Sequence, residues 1–126
     1  MDIESVHTYC LSFPQVTEEV LWGADLVFKI GGKMFAVIGL DARSHHCMSF
    51  KATPEKFAEL IERKGIVPAP YVARYHWVAL ERFNALSEKE LKSLLQTAYD
   101  LVFEKLPKKV KSRLEQGASP PTKKGR

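Results

Sequence analysis

Three segments of the chain carry apolar residues at the spacing of an amphipathic helix. The first covers residues 2–13, and the second covers residues 53–64, which begin with a threonine N-cap and a proline at the first helical position. The third and longest covers residues 88–106 and opens with Ser87 and Glu90 at the spacing of a capping box. The pattern therefore predicts three helices.

Strand-like patterns lie between these helices. Two apolar runs, residues 26–30 and 33–40, flank Gly31 and Gly32, a pair able to adopt the positive φ angles of a tight turn. These runs predict an antiparallel hairpin. Three further segments are expected to be extended: residues 45–51, 66–71 and 76–81.

The order of elements, α-β(3)-α-β(2)-α, predicts an α+β domain of two layers, with helices packed on a single antiparallel sheet. Strict alternation places Met34 and Ala36 on one face of the second strand and Phe35 and Val37 on the other. Because a strand covered on one side only should alternate more cleanly, the second face is either covered or binds something. We favour coverage within the chain over the two alternatives, which are coverage by a second subunit and a face that binds something.

The charges are distributed unevenly. The 126 residues carry 19 basic and 15 acidic side chains, a net charge of +4. Residues 105–126 contribute eight basic and one acidic side chain, whereas residues 1–104 carry a net charge of −3. We therefore predict one domain over residues 1–110 and a flexible basic tail over residues 111–126. Such a tail neutralises phosphates by counterion release or, alternatively, only increases solubility.

The chain shows neither an export signal nor a run of about 20 apolar residues that would span a membrane. We expect a soluble, cytoplasmic protein with no membrane partner. Cys10 and Cys47 lie among apolar residues, so we expect both thiols to be reduced and buried.

No catalytic or metal-binding constellation is evident. Gly31-Gly32-Lys33 joins two strands and lacks the spacing of a phosphate-binding loop. Only His45 and Cys47 of the segment 45–47 share a side of a strand, and an apolar environment should suppress the Cys47 thiolate. We expect no enzymatic activity, no metal and no cofactor.

Residues 74–77 place one cation and three rings side by side. Arg74, His76 and Trp77 could grip phosphate or stack on bases. The alternative is the entry to a strand, in which Trp77 is a core residue and Arg74 is solvated.

Three segments together resemble the MmcQ/YjbR family of small bacterial proteins. They are residues 11–19 with Trp22-Gly23, residues 28–36, and residues 68–71 with 74–78. The resemblance implies an α-β(3)-α-β(2)-α domain of the kind described as a double-wing DNA-binding domain, with a fold similar to that of secretion chaperones. It implies no catalytic residues.

The hypothesis that follows is a DNA-binding or other nucleic-acid-binding module, monomeric or weakly dimeric, whose basic residues contact phosphates. The candidate residues are Lys33, Arg74, His76, Trp77, Lys108, Lys109, Lys111 and Arg113. The alternative is a protein-interaction or adaptor domain that uses an apolar sheet face around Phe35 and Val37, with a homodimer as one form.

Overall fold

The computed structural model describes residues 1–41 and 45–115, which form four helices and one six-stranded antiparallel sheet. The helices are α1 (Ile3–Leu11), α2 (Pro54–Leu60), α3 (Glu88–Glu104) and α4 (Lys108–Glu115). The strands are β1 (Thr17–Leu21), β2 (Asp25–Ile30), β3 (Lys33–Gly39), β4 (Met48–Lys51), β5 (Ile66–Pro68) and β6 (Trp77–Leu80). The strands lie in the order β1-β2-β3-β4-β6-β5. The predicted α+β class is confirmed. Within the described ranges, no helix is both long and apolar enough to cross a membrane.

Local hydrogen bonds set where the helices begin. The Asp2 carboxylate accepts from the Ser5 amide at the start of α1, and the Ser87 hydroxyl accepts from the Glu90 amide at the start of α3. In a full capping box, the Glu90 carboxylate would also accept a hydrogen bond from the Ser87 amide. Here that carboxylate instead forms an ion pair with the Arg63 guanidinium, at 2.9 Å. This pair connects α3 to the segment that follows α2.

Strand β1 was not predicted, and the element order is therefore α-β(4)-α-β(2)-α-α. Thr17 lies opposite Lys29 and Leu21 lies opposite Asp25 in the pairing with β2. Because β1 is an edge strand whose first four residues are exposed, its sequence lacks the apolar alternation that marks a half-buried strand.

A bulge in β3 changes which of its side chains share a face. Phe28 lies opposite Ala36 and Lys29 lies opposite Met34, so Phe35 is the extra residue. Phe35 and Ala36 both join the core beneath the helices, whereas Met34 and Val37 pack with a second apolar cluster on the opposite face. The strict alternation predicted for this strand is wrong.

Aromatic rings join the sheet to the helices. The Phe35 ring centroid lies 6.0 Å from that of Phe13, 6.4 Å from that of Phe28 and 5.6 Å from that of Tyr99. The Tyr99 hydroxyl donates a 2.7 Å hydrogen bond to the Pro14 carbonyl. The end of α1, the sheet and α3 therefore meet around one buried phenylalanine.

Helix α4 occupies part of the segment predicted to be a flexible tail. Val110 and Leu114 lie one helical turn apart, and both pack against the main core beside the buried Leu106. The predicted boundary after residue 110 therefore falls inside a helix. The rest of the predicted tail, residues 116–126, lies outside the described residues.

Candidate nucleic-acid interface and the open-face cavity

Two cations meet where β4 ends. The Lys51 ammonium donates a 3.0 Å hydrogen bond to the Tyr75 carbonyl, and Lys105 caps the end of α3 nearby. Burial and, secondly, the positive charge of Lys105 lower the pKa of Lys51 below its usual value. Within the described ranges, neither ammonium forms an ion pair with a carboxylate.

Residues 74–76 lie against the same end of the sheet. The Arg74 guanidinium lies 4.9 Å from the centroid of the Tyr75 ring, and Arg74 is exposed. The His76 carbonyl accepts a hydrogen bond from the Ala52 amide, and its ring lies 5.6 Å from that of Phe57. The segment is therefore anchored to the residues around Lys51.

The hairpin turn brings Lys33 to this end as well. A Cβ atom built on Gly31 would lie 2.6 Å from Leu106 Cδ1 and 3.1 Å from Val110 Cγ1, so the turn packs against the start of α4. Lys33 follows this turn and is exposed, as are the lysines in the first turn of α4. We call this cluster of cations the basic end: Lys33, Lys51, Arg74, Lys105, Lys108 and Lys109.

Two of the cations predicted to contact phosphates, Lys111 and Arg113, are not included in the basic end. Lys111 is partly neutralised by Glu104, whose carboxylate lies 3.8 Å from its ammonium. Arg113 is exposed in the last turn of α4.

The structure contradicts a stacking role for Trp77. Its side chain is 4% exposed and packs with Ala69 and Ala79, so no ring face is available to a base. The alternative, a strand entry with Trp77 buried and Arg74 solvated, agrees with the structure.

Four other cations of the described residues are paired with carboxylates, whereas Lys64, Arg82, Lys89 and Arg113 are not. These pairs are Lys29–Glu19, Lys56–Glu59, Arg63–Glu59, Arg63–Glu90 and Lys92–Glu88. Among the described residues, the members of the basic end have no such pair. The six cations of the basic end therefore carry positive charge that no neighbouring carboxylate compensates.

The sheet face opposite the helices holds a cavity of about 670 Å³. Its floor includes Val37, Gly39, Ser49 and Ala79, and the exposed rings of Trp22 and Tyr71 stand at its rim. We call it the open-face cavity. Residues 69–72 also line the cavity. The chain therefore covers this face of the sheet only in part, whereas coverage within the chain was predicted.

The apolar interaction face predicted around Phe35 and Val37 does not contain both residues. Phe35 is fully buried beneath the helices, whereas Val37 lines the open-face cavity on the other side of the sheet. The two side chains therefore share no surface.

Both cysteines are free thiols, as predicted, although Cys47 is half-buried instead of fully buried. Burial raises the pKa of Cys10 to about 12 and that of Cys47 to about 11. Neither thiol is activated as a nucleophile.

Sequence reasoning missed Lys51 and Lys105 as partners, and it missed the open-face cavity entirely. Lys51 and Lys105 are 54 positions apart in the chain, and only the packing of α3 on the sheet brings them together. The cavity is lined from several separate strands and loops, which leaves no local spacing to detect.

A family model, YjbR, matches residues 11–101. The chain belongs to the YjbR family. It is 29% identical to the uncharacterized protein YbdF of Escherichia coli O157:H7, over 93% of this chain and 100% of YbdF. A crystal structure of a Deinococcus radiodurans protein with a DUF419 domain has a TM-score of 0.79 at 25% identity, and covers 90% of this chain and 87% of that one. A structure from Pseudomonas syringae has a TM-score of 0.65 at 22% identity, over 81% and 99% of the two chains.

The segments that carry the resemblance to this family lie at the two surfaces just described. Gly31 and Lys33 lie at the basic end, whereas Trp22 and Tyr71 stand at the rim of the open-face cavity. The YjbR segments therefore do not converge on a single site.

Proposed function

We propose that this YjbR-family chain binds nucleic acid, with DNA as the expected partner, through phosphates held at the basic end. The observation that carries the proposal is that the cations of the basic end, within the described ranges, form no ion pair with a carboxylate. Burial and, secondly, the charge of Lys105 also lower the pKa of Lys51. Two neighbouring ammonium groups without a carboxylate raise the electrostatic free energy of the folded chain, and a bound phosphate would lower it.

The start of α4 adds to this potential. Lys108 and Lys109 occupy its first turn, which also carries the positive end of the helix dipole. Cations at this position oppose the dipole and cost stability, whereas an anion bound there would be attracted by both. This arrangement favours a bound anion such as phosphate.

The expected mode of binding is contact with the backbone instead of the bases. Lysine contacts to phosphate position a protein on nucleic acid without reading sequence. The burial of Trp77 removes the ring that could have stacked on a base. We therefore expect weak sequence preference and a strong dependence on salt.

Fluorescence anisotropy with a labelled DNA duplex tests the proposal. The full chain is compared with Lys108→Ala/Lys109→Ala and with the matched control Lys64→Ala/Lys89→Ala. The control removes the same charge from exposed lysines elsewhere, and Lys89 lies at the opposite end of α3 from Lys105. If both lysines of α4 contact phosphate, the slope of log K against log salt falls by about two in magnitude for the first variant alone.

Two outcomes of this comparison would contradict the proposal. One is the absence of binding by the full chain at about 50 mM salt, where phosphate contacts are strong. The other is an equal loss of affinity in the two double variants. A third variant, Lys123→Ala/Lys124→Ala, measures what the end of the chain contributes to binding. If this variant loses binding and the other two variants keep it, the basic end is not the site.

A further inference from the structure

We propose that the open-face cavity binds a planar aromatic amine, a ligand site separate from the proposed nucleic-acid interface. The strand pairings place Val37, Ser49 and Ala79 side by side across β3, β4 and β6. Gly39 lies beside them along β3. Short side chains in adjacent strands leave a shallow, flat recess that suits a flat ring. The cavity volume, about 670 Å³, lies within the range of small-molecule sites.

The two rim residues lie in turns and have a backbone conformation that glycine or asparagine would adopt at lower cost. The φ angle is 53° at Trp22 and 69° at Tyr71, in the left-handed region that bulky residues rarely adopt. Trp22 is 69% exposed and Tyr71 is 98% exposed, so neither gains the burial that would offset the strain. Strained residues of this kind concentrate at ligand sites, where the fold holds a side chain in position for a partner.

The rings at the rim indicate what the partner would be. Indole and phenol rings bind other rings through offset or edge-on contacts, and they bind cations through their faces. Trp77 contributes to the cavity wall, but its side chain is 4% exposed, so the accessible rings are those of Trp22 and Tyr71. A ligand that carries its own ring would therefore meet aromatic surface at the rim.

The charge of the lining selects among aromatic ligands. Asp25 lines the cavity, and within the described ranges its carboxylate forms no ion pair. The lining also contains His45 and His46 and, among the described residues, no lysine or arginine. A protonated or hydrogen-bonding amine on the ligand would complement Asp25, whereas an anionic group would be repelled.

Three probes with one ring and different charges test this site: tryptamine, indole and indole-3-acetate. Each is titrated into the ¹⁵N-labelled full chain while amide chemical shifts are recorded. We expect shifts at Gly39, Ser49 and Ala79 and a dissociation constant for tryptamine on the order of 1 mM, as suits a ligand of this size. Tryptamine should bind about fivefold more tightly than indole-3-acetate.

The variants separate the contribution of the rings from that of the charge. Trp22→Gly and Tyr71→Gly each remove a ring at a position where glycine is unstrained, so the fold is retained, and each should weaken all three probes roughly two- to tenfold. Asp25→Asn should remove the preference for tryptamine. Tyr75→Ala, which removes an exposed ring outside the cavity, should change nothing.

The proposal would be overturned if none of the three probes changed the amide chemical shifts of residues that line the cavity. It would also be overturned if both glycine variants bound the probes with unchanged affinity. Tighter binding of indole-3-acetate than of tryptamine would overturn the assignment to amines. DNA binding does not enter these measurements, so the two proposals stand or fall separately.

Discussion

Gly31 lies directly against Leu106: a Cβ atom at position 31 would approach Leu106 Cδ1 to 2.6 Å. The neighbouring Gly32 also has a positive φ angle, 84°, but a Cβ atom there would meet nothing within 4 Å. The two glycines of one turn are therefore required for different reasons. At position 32, glycine is required only for the positive φ angle. At position 31, glycine is also required to leave room for the connection between α3 and α4.

The pair Gly31→Ala and Gly32→Ala tests this difference. Both substitutions place alanine at a positive φ angle, which costs about 1–2 kcal/mol. Gly31→Ala should cost roughly 1–3 kcal/mol more, because Leu106 must move. Urea unfolding followed by circular dichroism measures both values. Equal destabilisation would mean that α4 is not held against the turn.

Phe35→Ala should lower the free energy of unfolding by about 3–5 kcal/mol, because it empties the centre of the aromatic core. Val37→Ala, on the other face of the same strand, should cost roughly 1 kcal/mol, since that side chain is only half-buried. Chemical denaturation compares the two variants. A larger loss for Val37→Ala would contradict the assignment of faces by the bulge.

Lys105→Ala should raise the pKa of Lys51 towards its usual value of 10.5, because it removes one of the two causes that lower it. Between the lowered pKa and 10.5, the unfolded chain binds more protons at Lys51 than the folded chain does, so stability rises with pH in this window. The variant should make this rise shallower. An NMR titration of the Lys51 side chain gives the pKa, with Lys89→Ala as the control that leaves it unchanged.

Tyr71→Asn should stabilise the chain by up to about 1 kcal/mol, since asparagine tolerates the left-handed conformation and almost none of the tyrosine is buried. Tyr75→Asn is the matched control, because Tyr75 is exposed but is not among the residues with a positive φ angle. Thermal unfolding compares the two. A destabilised Tyr71→Asn variant would mean that this ring supports the fold and is not held there at a cost.

The elements predicted correctly are those whose pattern is local. The turn at Gly31 and Gly32 and the cap at Ser87 are determined by residues within three positions of each other, and both are present. The bulge at Phe35 depends on how β3 pairs with β2, so no pattern within β3 alone reveals it. Helix α4 was missed because its charged residues outnumber the apolar ones that hold it to the core.

The candidate sites were predictable only in part, because some of their residues are brought together by the fold and not by the local sequence. The exposed lysines of α4 are adjacent in sequence, so their charge density is evident before folding. Lys51 lies near Lys105 only because α3 packs on the sheet, and the ring of Trp77 is covered because it packs with Ala69 on the face opposite the helices. Residue type alone did not distinguish a buried tryptophan from a base-stacking one.

The composition of the two outermost strands determines whether the sheet can grow. Strand β1 carries Glu18 and Glu19 on its exposed length, and charged side chains on an edge disfavour the addition of a further strand. At the other edge, β5 is three residues long and ends at Pro68, which has no amide proton to donate to a neighbour. Both edges therefore resist strand addition, so aggregation through the sheet is disfavoured even while part of its open face remains exposed.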